Sequence, residues 1–222
     1  MVDLELGRCI YRMVRDNGDV VENPRIDGLE VIFQGRLGGV VEIDEGSVFR
    51  NTKIVAGGMA RIVVKRTHEK GIKNTKIETA CLCKVKELYI DSGCSIEGAR
   101  FALLDDENLS VKIGKDCMLS SNILFRAADG HTLFDVGSGD VINRSRPIKI
   151  GDHVWIGAGA TFLKGAEVAS NVIIGANSIV SKSYLEENVA LAGAPARVVK
   201  RNVGWSRSRI PEYERQRRVN IQ

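Results

Sequence analysis

Aromatic side chains are scarce in this sequence, at 5% of 222 residues, although hydrophobic residues make up 44% and glycine contributes 23 residues. So few rings argue against a core built on aromatic packing, and so many glycines indicate frequent tight turns between small or β-branched side chains. No apolar run is long enough to span a membrane, and the opening stretch MVDLELGRCIYRMVRDNGD lacks the apolar segment of a secretory signal. We therefore expect a cytoplasmic protein with one sizeable domain and no membrane span.

Cysteine and histidine are also rare, with five and three residues respectively. The cysteines are odd in number and contain no CxxC pair, so we expect neither a disulfide framework nor a metal site. Cys94 and Cys117 fall on apolar positions of the repeat described below, where free cysteine behaves as a small hydrophobic residue. The candidates for a general base are His68, His131 and His153.

The net charge of +4 is concentrated at the C-terminal end. Residues 200–222 contain seven Lys or Arg against two Glu, so the remainder of the chain is close to neutral. A basic tail fits an anionic partner such as nucleotide phosphates or an acidic polymer, or it is a solvated tail without a partner. No aromatic-rich nucleic-acid motif accompanies it, so nucleic acid is not an expected partner.

A period of six runs through residues 148–180, IKIGDHVWIGAGATFLKGAEVASNVIIGANSIV. Every sixth residue there is bulky and apolar: Ile150, Ile156, Phe162, Val168, Ile174 and Val180. Six residues make one short strand and one corner, and three such units close a triangular coil that stacks in parallel on the next coil, about 18 residues on. Asn, Asp and Gly between the strands suit the corners, where left-handed backbone angles are needed. The pattern predicts an all-β solenoid.

The repeat extends upstream with lower regularity. Ile113, Leu119 and Phe125 keep the same step, and a weaker trace begins at Leu37. Breaks fall at residues 97–109 and between Phe125 and the next repeat. We predict a solenoid of about eight coils over residues 37–200, a protruding loop at 126–147, an N-terminal segment 1–36 that we do not place, and a basic tail at 201–222.

Three motifs accompany the repeat. They are the loop RAADGHTLFDVGSGDVINRSRPI with His131, VWIG at 154–157 with Trp155 lying 24 residues after His131, and AGAPAR at 192–197. Together they resemble the hexapeptide-repeat acyltransferases, and within these the O-acetyltransferases of galactoside, maltose and polysialic acid. The resemblance implies a left-handed parallel β-helix with an extended catalytic loop and a short C-terminal extension.

Catalytic roles follow from the chemistry and from this resemblance. Transfer of an acetyl group from a thioester to a hydroxyl needs a base for the hydroxyl proton, and His131 lies in a polar loop beside Asp129. In the resembling enzymes the matching tryptophan lines the active site, so Trp155 is expected to pack the thioester arm or to stack on a sugar ring. Asn122 and Asp129 are candidates for binding the acceptor. His153 is expected to be an exposed corner residue.

The resemblance also implies acetyl-CoA as the acyl donor, held in a groove between neighbouring subunits of a homotrimer. Its pantetheine arm would contact the backbone at Ala158 and Ala176, which are one coil apart and small enough to let the arm approach. The remaining contacts to acetyl-CoA are expected to bind chiefly its nucleotide phosphates. The candidates are Ser181, Lys182, Arg197 and Lys200. One extra residue between Lys182 and Arg197 departs from the family pattern.

The predicted function is an acetyl-CoA-dependent O-acetyltransferase acting on a hydroxyl of a sugar or polysaccharide by direct transfer. Two alternatives use the same scaffold: an N-acetyltransferase of an amino-sugar and a non-catalytic β-helix scaffold protein. A metal-dependent carbonic anhydrase needs three histidines, two of them close in sequence. Here His131 and His153 are 22 residues apart and His68 is remote, so this class does not fit.

Overall fold

A computed structural model describes residues 7–35, 37–79, 84–104 and 108–219. The strands of these residues are short, as six-residue units require. They are β1 (Cys9–Val14), β2 (Val20–Glu22), β3 (Leu29–Gln34), β4 (Gly39–Asp44), β5 (Phe49–Arg50), β6 (Thr52–Gly57), β7 (Ala60–Val64), β8 (Ile72–Lys73), β9 (Lys76–Thr79), β10 (Lys86–Ile90), β11 (Ser95–Ile96), β12 (Ala99–Leu103), β13 (Leu109–Ile113), β14 (Met118–Leu119), β15 (Ile123–Arg126), β16 (Ile148–Ile150), β17 (Trp155–Ile156), β18 (Thr161–Leu163), β19 (Glu167–Val168), β20 (Ile173–Ile174), β21 (Ile179–Val180), β22 (Ser183–Tyr184), β23 (Val189–Gly193) and β24 (Ala196–Arg201). One helix, α1 (Ile210–Val219), follows within the described ranges.

The strands form the three faces of a triangular prism. Sheet 1 has the order β2-β1-β4-β7-β10-β13-β16-β19-β22, sheet 2 the order β5-β8-β11-β14-β17-β20-β23-β24, and sheet 3 the order β3-β6-β9-β12-β15-β18-β21. Each coil visits the sheets in the order 1, 2, 3, and the pairings are parallel except for the hairpin partners β2 and β24. The prediction of an all-β parallel solenoid is confirmed.

The six-residue register becomes the interior of the prism. Ile150 pairs with Ile113 in the coil before it and with Val168 in the coil after it, and all three side chains are buried. In sheet 3 the rings of Phe101, Phe125 and Phe162 stack, with centroids 4.6 Å and 4.9 Å apart. The few aromatic residues thus include a ladder in the core. Cys94 and Cys117 are also buried, as their register positions predict.

Corner residues take left-handed backbone angles where the chain turns between sheets. Asn122, His153 and Asn177 have φ values of 57°, 52° and 55°, a region that asparagine enters more easily than most residues. At Gly157 a side chain would place its Cβ 2.7 Å from the amide nitrogen of Ala176. Glycine there lets successive coils approach each other closely.

The parallel stack begins upstream of residue 37, where the sequence pattern placed its start. β1 pairs in parallel with β4, and β3 pairs in parallel with β6, so two strands of the unplaced segment 1–36 belong to the prism. These early coils do not keep the regular spacing, since Phe49 pairs with Ile72, 23 residues on, whereas Phe162 pairs with Val180, 18 residues on. Extra residues at the corners hide the period.

The C-terminal end does not trail away from the prism. After β24, residues 202–209, here called the C-terminal strap, lead to α1, none of whose residues is buried. α1 has 10 residues and a polar composition. Throughout the described ranges there is no helix with the length and apolar character that crossing a membrane requires.

Candidate functional site

The loop that carries His131 leaves the prism at the corner between sheets 3 and 1, between β15 and β16. It is an ordered excursion, because Phe134 bridges to Val141 in antiparallel fashion and the amide of Ile142 donates to the carbonyl of Leu133 at 2.9 Å. At its tip the Asp135 carboxylate accepts hydrogen bonds from the amides of residues 137 and 138. Asp135 therefore shapes the turn and is not a partner of the His131 ring.

Two side chains clamp this loop beside His131. Asn143 donates from Nδ2 to the backbone oxygen of His131 at 2.8 Å and to Oδ2 of Asp129 at 2.9 Å. Lys164, on the coil below, donates to the same Asp129 carboxylate and to the carbonyl of Asn143 at 2.7 Å. The hydrogen bond from Lys164, followed by that from Asn143, lowers the pKa of Asp129 below its ordinary value. Asp129, a candidate acceptor ligand, thus holds the loop in position.

The His131 side chain is exposed, and no described residue forms a hydrogen bond with its imidazole ring. The backbone is held on both sides while the ring faces solvent. This arrangement suits a base that meets its substrate at the protein surface.

Ala158 and Ala176 lie at a different corner, the one between sheets 2 and 3. The amide of Asn177 donates to the carbonyl of Ala158 at 2.8 Å, so the two alanines are stacked one coil apart. Both are exposed, and neither backbone amide finds an acceptor among the described residues. The corner therefore has two N–H groups, one coil apart, without acceptors among the described residues, next to side chains that do not obstruct a ligand.

Asn122 belongs to this same edge and not to the His131 loop. The amide of Gly159 donates to the carbonyl of Ser121 at 2.9 Å, which places Asn122 one coil before Ala158. Asn122 and Ser121 line a cavity of about 640 Å³ that opens along the edge onto sheet 3. The candidate acceptor ligands Asn122 and Asp129 are thus divided between two corners.

Trp155 lies on the outer face of sheet 2, where it pairs with Met118 and Ile173 and is 38% exposed. The width of sheet 3 separates this face from the corner where the His131 loop begins. The structure therefore does not bring Trp155 and His131 together within one chain, whereas Trp155 precedes Ala158 by three residues.

The basic candidates gather where the solenoid ends. The Lys182 ammonium lies 5.6 Å from the ring centroid of Tyr184, whose hydroxyl donates to the carbonyl of Ala196. Burial raises the pKa of Tyr184, and the nearby charge of Arg197 opposes that rise. Lys182 and Arg197 are thus neighbours around one ring. Ser181 precedes them on the same coil and is half-buried.

Lys200 lies on the terminal hairpin, where it is exposed and pairs with Ala190 across β23 and β24. Across the described residues no three His, Cys, Asp or Glu side chains converge as a metal site would require.

His153 is not the solvent-facing corner residue that its position predicts. Its Nδ1 lies 2.8 Å from Oδ2 of Asp116, and its ring stacks on Trp205 with centroids 4.1 Å apart. Trp205 donates from its indole nitrogen to the carbonyl of His153 at 2.8 Å. Arg207 donates to Oδ1 of Asp116 at 2.9 Å.

This contact anchors the C-terminal strap, so its charged residue Arg207 is not part of a free tail. Desolvation raises the pKa of Asp116, but the hydrogen bonds from Arg207 and His153 outweigh that effect, and its pKa lies below the ordinary value.

Two sets of residues are missing from the sequence-based site. The spacing of the coils could have predicted Lys164. Phe125 pairs with Phe162 and Arg126 with Leu163, so Lys164 lies in the next coil beside the first residues of the loop. Trp205 and Arg207 leave no comparable signal. They lie beyond the repeat, and Arg207 reaches Ser95, 112 residues away in sequence.

Comparison with known proteins adds three findings. Residues 147–182 match the family of the bacterial transferase hexapeptide (six repeats). The chain is 37% identical over 136 residues to a polysialic acid O-acetyltransferase of Escherichia coli O1:K1 / APEC, covering 61% of this chain and 44% of that protein. It is 40% identical over 101 residues to the polysialic acid O-acetyltransferase of Neisseria meningitidis, covering 46% of this chain and 47% of that protein. The chain thus spans less than half the length of these relatives.

The structure is similar to that of the polySia-specific acetyltransferase NeuO, with a TM-score of 0.67 and 26% identity, over 90% of this chain and 80% of that one. The polysialic acid O-acetyltransferase OatWY is similar in fold, with a TM-score of 0.52 and 20% identity, over 96% of this chain and 99% of that one. These likenesses fit the expected left-handed hand of the β-helix.

Proposed function

We propose that this chain, whose repeat, sequence and fold are similar to those of the hexapeptide-repeat acyltransferases, is an acetyl-CoA-dependent O-acetyltransferase that acts on a hydroxyl of a sugar or polysaccharide. The observation that carries the proposal is the pair of unpaired backbone amides at Ala158 and Ala176, stacked on one exposed edge. Such an edge suits an extended ligand with amide carbonyls, and the pantetheine arm of coenzyme A is one.

The proposed contacts of acetyl-CoA are the alanine edge for the pantetheine arm and a basic group at the end of the solenoid for the phosphates. Ala158 and Ala176 offer amide donors for the arm without side chains that would block it. Lys182, at the corner between sheets 3 and 1, and Arg197, on β24, both lie near Tyr184 and offer charge for the phosphates through charge-assisted hydrogen bonds, with Lys200 on the same strand as Arg197. The role of Ser181 is a further hydrogen bond beside this group.

His131 is the proposed general base. Its ring is exposed, and Asn143 holds its backbone. As the acceptor oxygen bonds to the acetyl carbon, the imidazole takes the hydroxyl proton, and it returns the proton to the departing thiolate. A thioester is already activated, so no covalent enzyme intermediate is needed. Trp155 supplies an apolar plane beside the reacting groups.

We further propose that the protein is a homotrimer with each site formed between two subunits. In one chain His131 and the amide edge are at different corners of the prism, so a second chain must bring the loop to the edge. The loop also exposes large apolar side chains that a neighbour would cover. They are Leu133, Phe134, Val136 and Ile142.

The acceptor class follows from the relatives, whose names include polysialic acid and galactoside. Asn122 is the proposed acceptor contact on the edge. Asp129 acts on the acceptor through the position of the loop, since its carboxylate is engaged with Lys164 and Asn143.

The test is calorimetric titration of acetyl-CoA into the protein and into a His131→Ala variant, with acetyl transfer to a sialic acid oligomer and to a methyl galactoside measured in parallel. Both proteins should bind acetyl-CoA, and only the unaltered one should transfer the acetyl group. If neither protein binds acetyl-CoA, the proposal fails and a non-catalytic scaffold role replaces it.

A further inference from the structure

The C-terminal strap and α1 enclose a cavity against the outer face of sheet 2. The cavity has a volume of about 500 Å³. Its lining consists of Trp155 on the sheet and residues of the strap and helix: Gly204, Trp205, Ser206, Ser208, Ile210, Tyr213, Glu214 and Arg217. The volume falls in the range of small-molecule sites.

Hydrogen bonds hold the C-terminal strap against the coils, so the strap forms an ordered wall of the cavity. Arg207 is 16% exposed and donates to Asp116, to Oγ of Ser95 at 2.8 Å and to the carbonyls of Gly93 at 3.1 Å and Cys117 at 3.0 Å. Its guanidinium also lies 5.7 Å from the centroid of Trp205. Because the planar guanidinium group of Arg207 binds acceptors on successive coils, it fixes the path of the C-terminal strap across them.

The lining combines two aromatic rings with charged and hydroxyl side chains. The ring centroids of Trp155 and Trp205 lie 6.3 Å apart and the rings are inclined at 47°, a spacing at which aromatic rings are in contact, so the two rings together form one aromatic wall of the cavity. Glu214 and Arg217 have no ion-pair partner among the described residues, and the hydroxyls of Ser206 and Ser208 complete the rim. Aromatic faces cover the C–H faces of a sugar ring, while charged and hydroxyl groups bind its hydroxyls.

The position of the cavity relates it to the transfer site. Ala158 is three positions after Trp155, so their Cα atoms are at most about 11 Å apart. A sugar ring packed on this aromatic wall would therefore lie beside the amide edge that is proposed to hold the acetyl donor.

We infer that this cavity is a saccharide subsite for the acceptor, in which Trp155 and Trp205 pack on a sugar ring and Arg217 and Glu214 bind its polar groups. The inference rests on the proposed function for its choice of ligand. An acidic sugar gains a contact between its carboxylate and Arg217, and a neutral one relies on its hydroxyls alone.

The two tryptophans of the chain both line this cavity, so the intrinsic fluorescence of the full chain reports on it directly. The probes are a sialic acid tetramer and a methyl galactoside, added without acetyl-CoA. The variants are Arg217→Gln and Trp205→Leu, and the matched control is Arg218→Gln, the next residue of α1 and not part of the lining. Melting temperatures identify any variant whose strap has come loose.

We expect a saturable change in emission with saccharide, and an increase of about tenfold or more in the Kd and acceptor KM of Arg217→Gln for the acidic probe. The Arg218→Gln control should stay within about twofold of the unaltered protein. Emission that responds to acetyl-CoA and not to either saccharide would overturn the inference, because the cavity would then serve the donor. Transfer with an unchanged acceptor KM in both cavity variants would also overturn it.

Failure of the proposed function has a different signature. In that case neither acetyl-CoA binding nor acetyl transfer is seen, while a saturable fluorescence response to saccharide still supports the cavity as a sugar site.

Discussion

At the scale of single residues, His131 depends on neighbours that hold its backbone and leave its ring exposed. Asn143 binds the carbonyl of His131, and Lys164 binds the carbonyl of Asn143, so the position of the base is fixed from two elements. An exposed ring is free to accept a proton from a surface-bound acceptor, since no hydrogen bond within the chain has to be broken first.

Replacement of His131 by alanine should lower kcat about 100- to 10,000-fold, because general-base help of this size is lost. The Kd for acetyl-CoA should change less than about twofold, since the proposed contacts of acetyl-CoA are backbone amides and basic side chains and do not include the His131 ring. Steady-state kinetics and calorimetry measure the two quantities. The control is His68→Gln. The ring of His68 accepts a hydrogen bond from the amide of Lys70 at 3.1 Å and lies outside the proposed site. An equal loss of kcat in both variants would contradict the role of His131.

Asp116 should make the strap sensitive to acid. Its pKa is lowered in the folded protein from the ordinary value of 3.8, so its contribution to stability is present at neutral pH and is lost as the pH falls through 3.8 and below. Tryptophan emission should therefore shift at acid pH as Trp205 leaves His153. In Asp116→Asn the strap should be weaker at neutral pH and this acid shift smaller. An unchanged acid shift in the variant would assign it to other carboxylates.

At the scale of elements, the protruding loop is held to the prism by a clamp at its base. Lys164 is 17% exposed and reaches Asp129 from the coil below. A mispositioned base costs rate even where the base itself is intact.

We expect Lys164→Met to lower kcat by between about 10- and 100-fold, because the loop that carries His131 is released. Proteolysis within residues 130–142 should become faster. Lys149→Met is the matched control: Lys149 is 54% exposed and pairs with Glu167 at 3.5 Å on the surface of sheet 1. Unchanged proteolysis and kcat in Lys164→Met would show that the loop keeps its position without the clamp.

The stacked rings in sheet 3 form a second element whose strength can be measured. Phe125 is fully buried between Phe101 and Phe162. Phe125→Ala should reduce the free energy of unfolding by about 3–5 kcal/mol, through lost burial and the cavity that remains. Leu185→Ala, at a position outside the loop that is 69% exposed, should change it by less than about 0.5 kcal/mol. Urea unfolding at one protein concentration measures both. Equal losses in the free energy of unfolding for the two variants would contradict a stabilising role of the stacked rings.

At the scale of the whole molecule, the site is divided between corners of the prism. The loop emerges between sheets 3 and 1, and the amides of Ala158 and Ala176 lie between sheets 2 and 3. A rigid prism cannot fold one corner onto another, so the proposed trimer would join them by sharing each site between two subunits.

Two inactive variants should therefore restore each other. His131→Ala removes the base, and Ala158→Glu blocks the exposed edge with a negative charge. When the two chains are produced together, random trimers should regain about a quarter of the unaltered activity, since some sites combine the intact half of each chain. Each variant alone is the control. No recovery, in trimers shown by mass measurement to be mixed, would place the whole site within one subunit.

Much of the fold follows from local pattern. Val168, Ile174 and Val180 recur at a fixed step, and each pairs at a fixed offset with the coil before it, so a one-dimensional count predicts the stack, the core and the corners. The count fails in the early coils, where Phe49 and Ile72 are 23 residues apart and corner insertions obscure the period.

The site was predictable only in part. His131, Trp155 and the alanine edge stand out by motif and spacing, and Lys164 follows from the coil count. Trp205 could not be assigned, because no periodic relation connects the strap to the coils that it crosses.

The sequence alone determined the period and the stacked interior, since both depend on contacts at a regular offset along the chain, and it indicated the proposed base through the loop motif and the family resemblance. The tertiary structure decided that Asp129 holds the loop, that His131 and Trp155 are on different sides of one prism, and that Arg207 seats the strap over Trp155. These contacts join residues far apart in sequence, up to 114 positions for Arg207 and Gly93. Such pairs are set by the three-dimensional path of the chain after the prism has formed, and no local pattern encodes them.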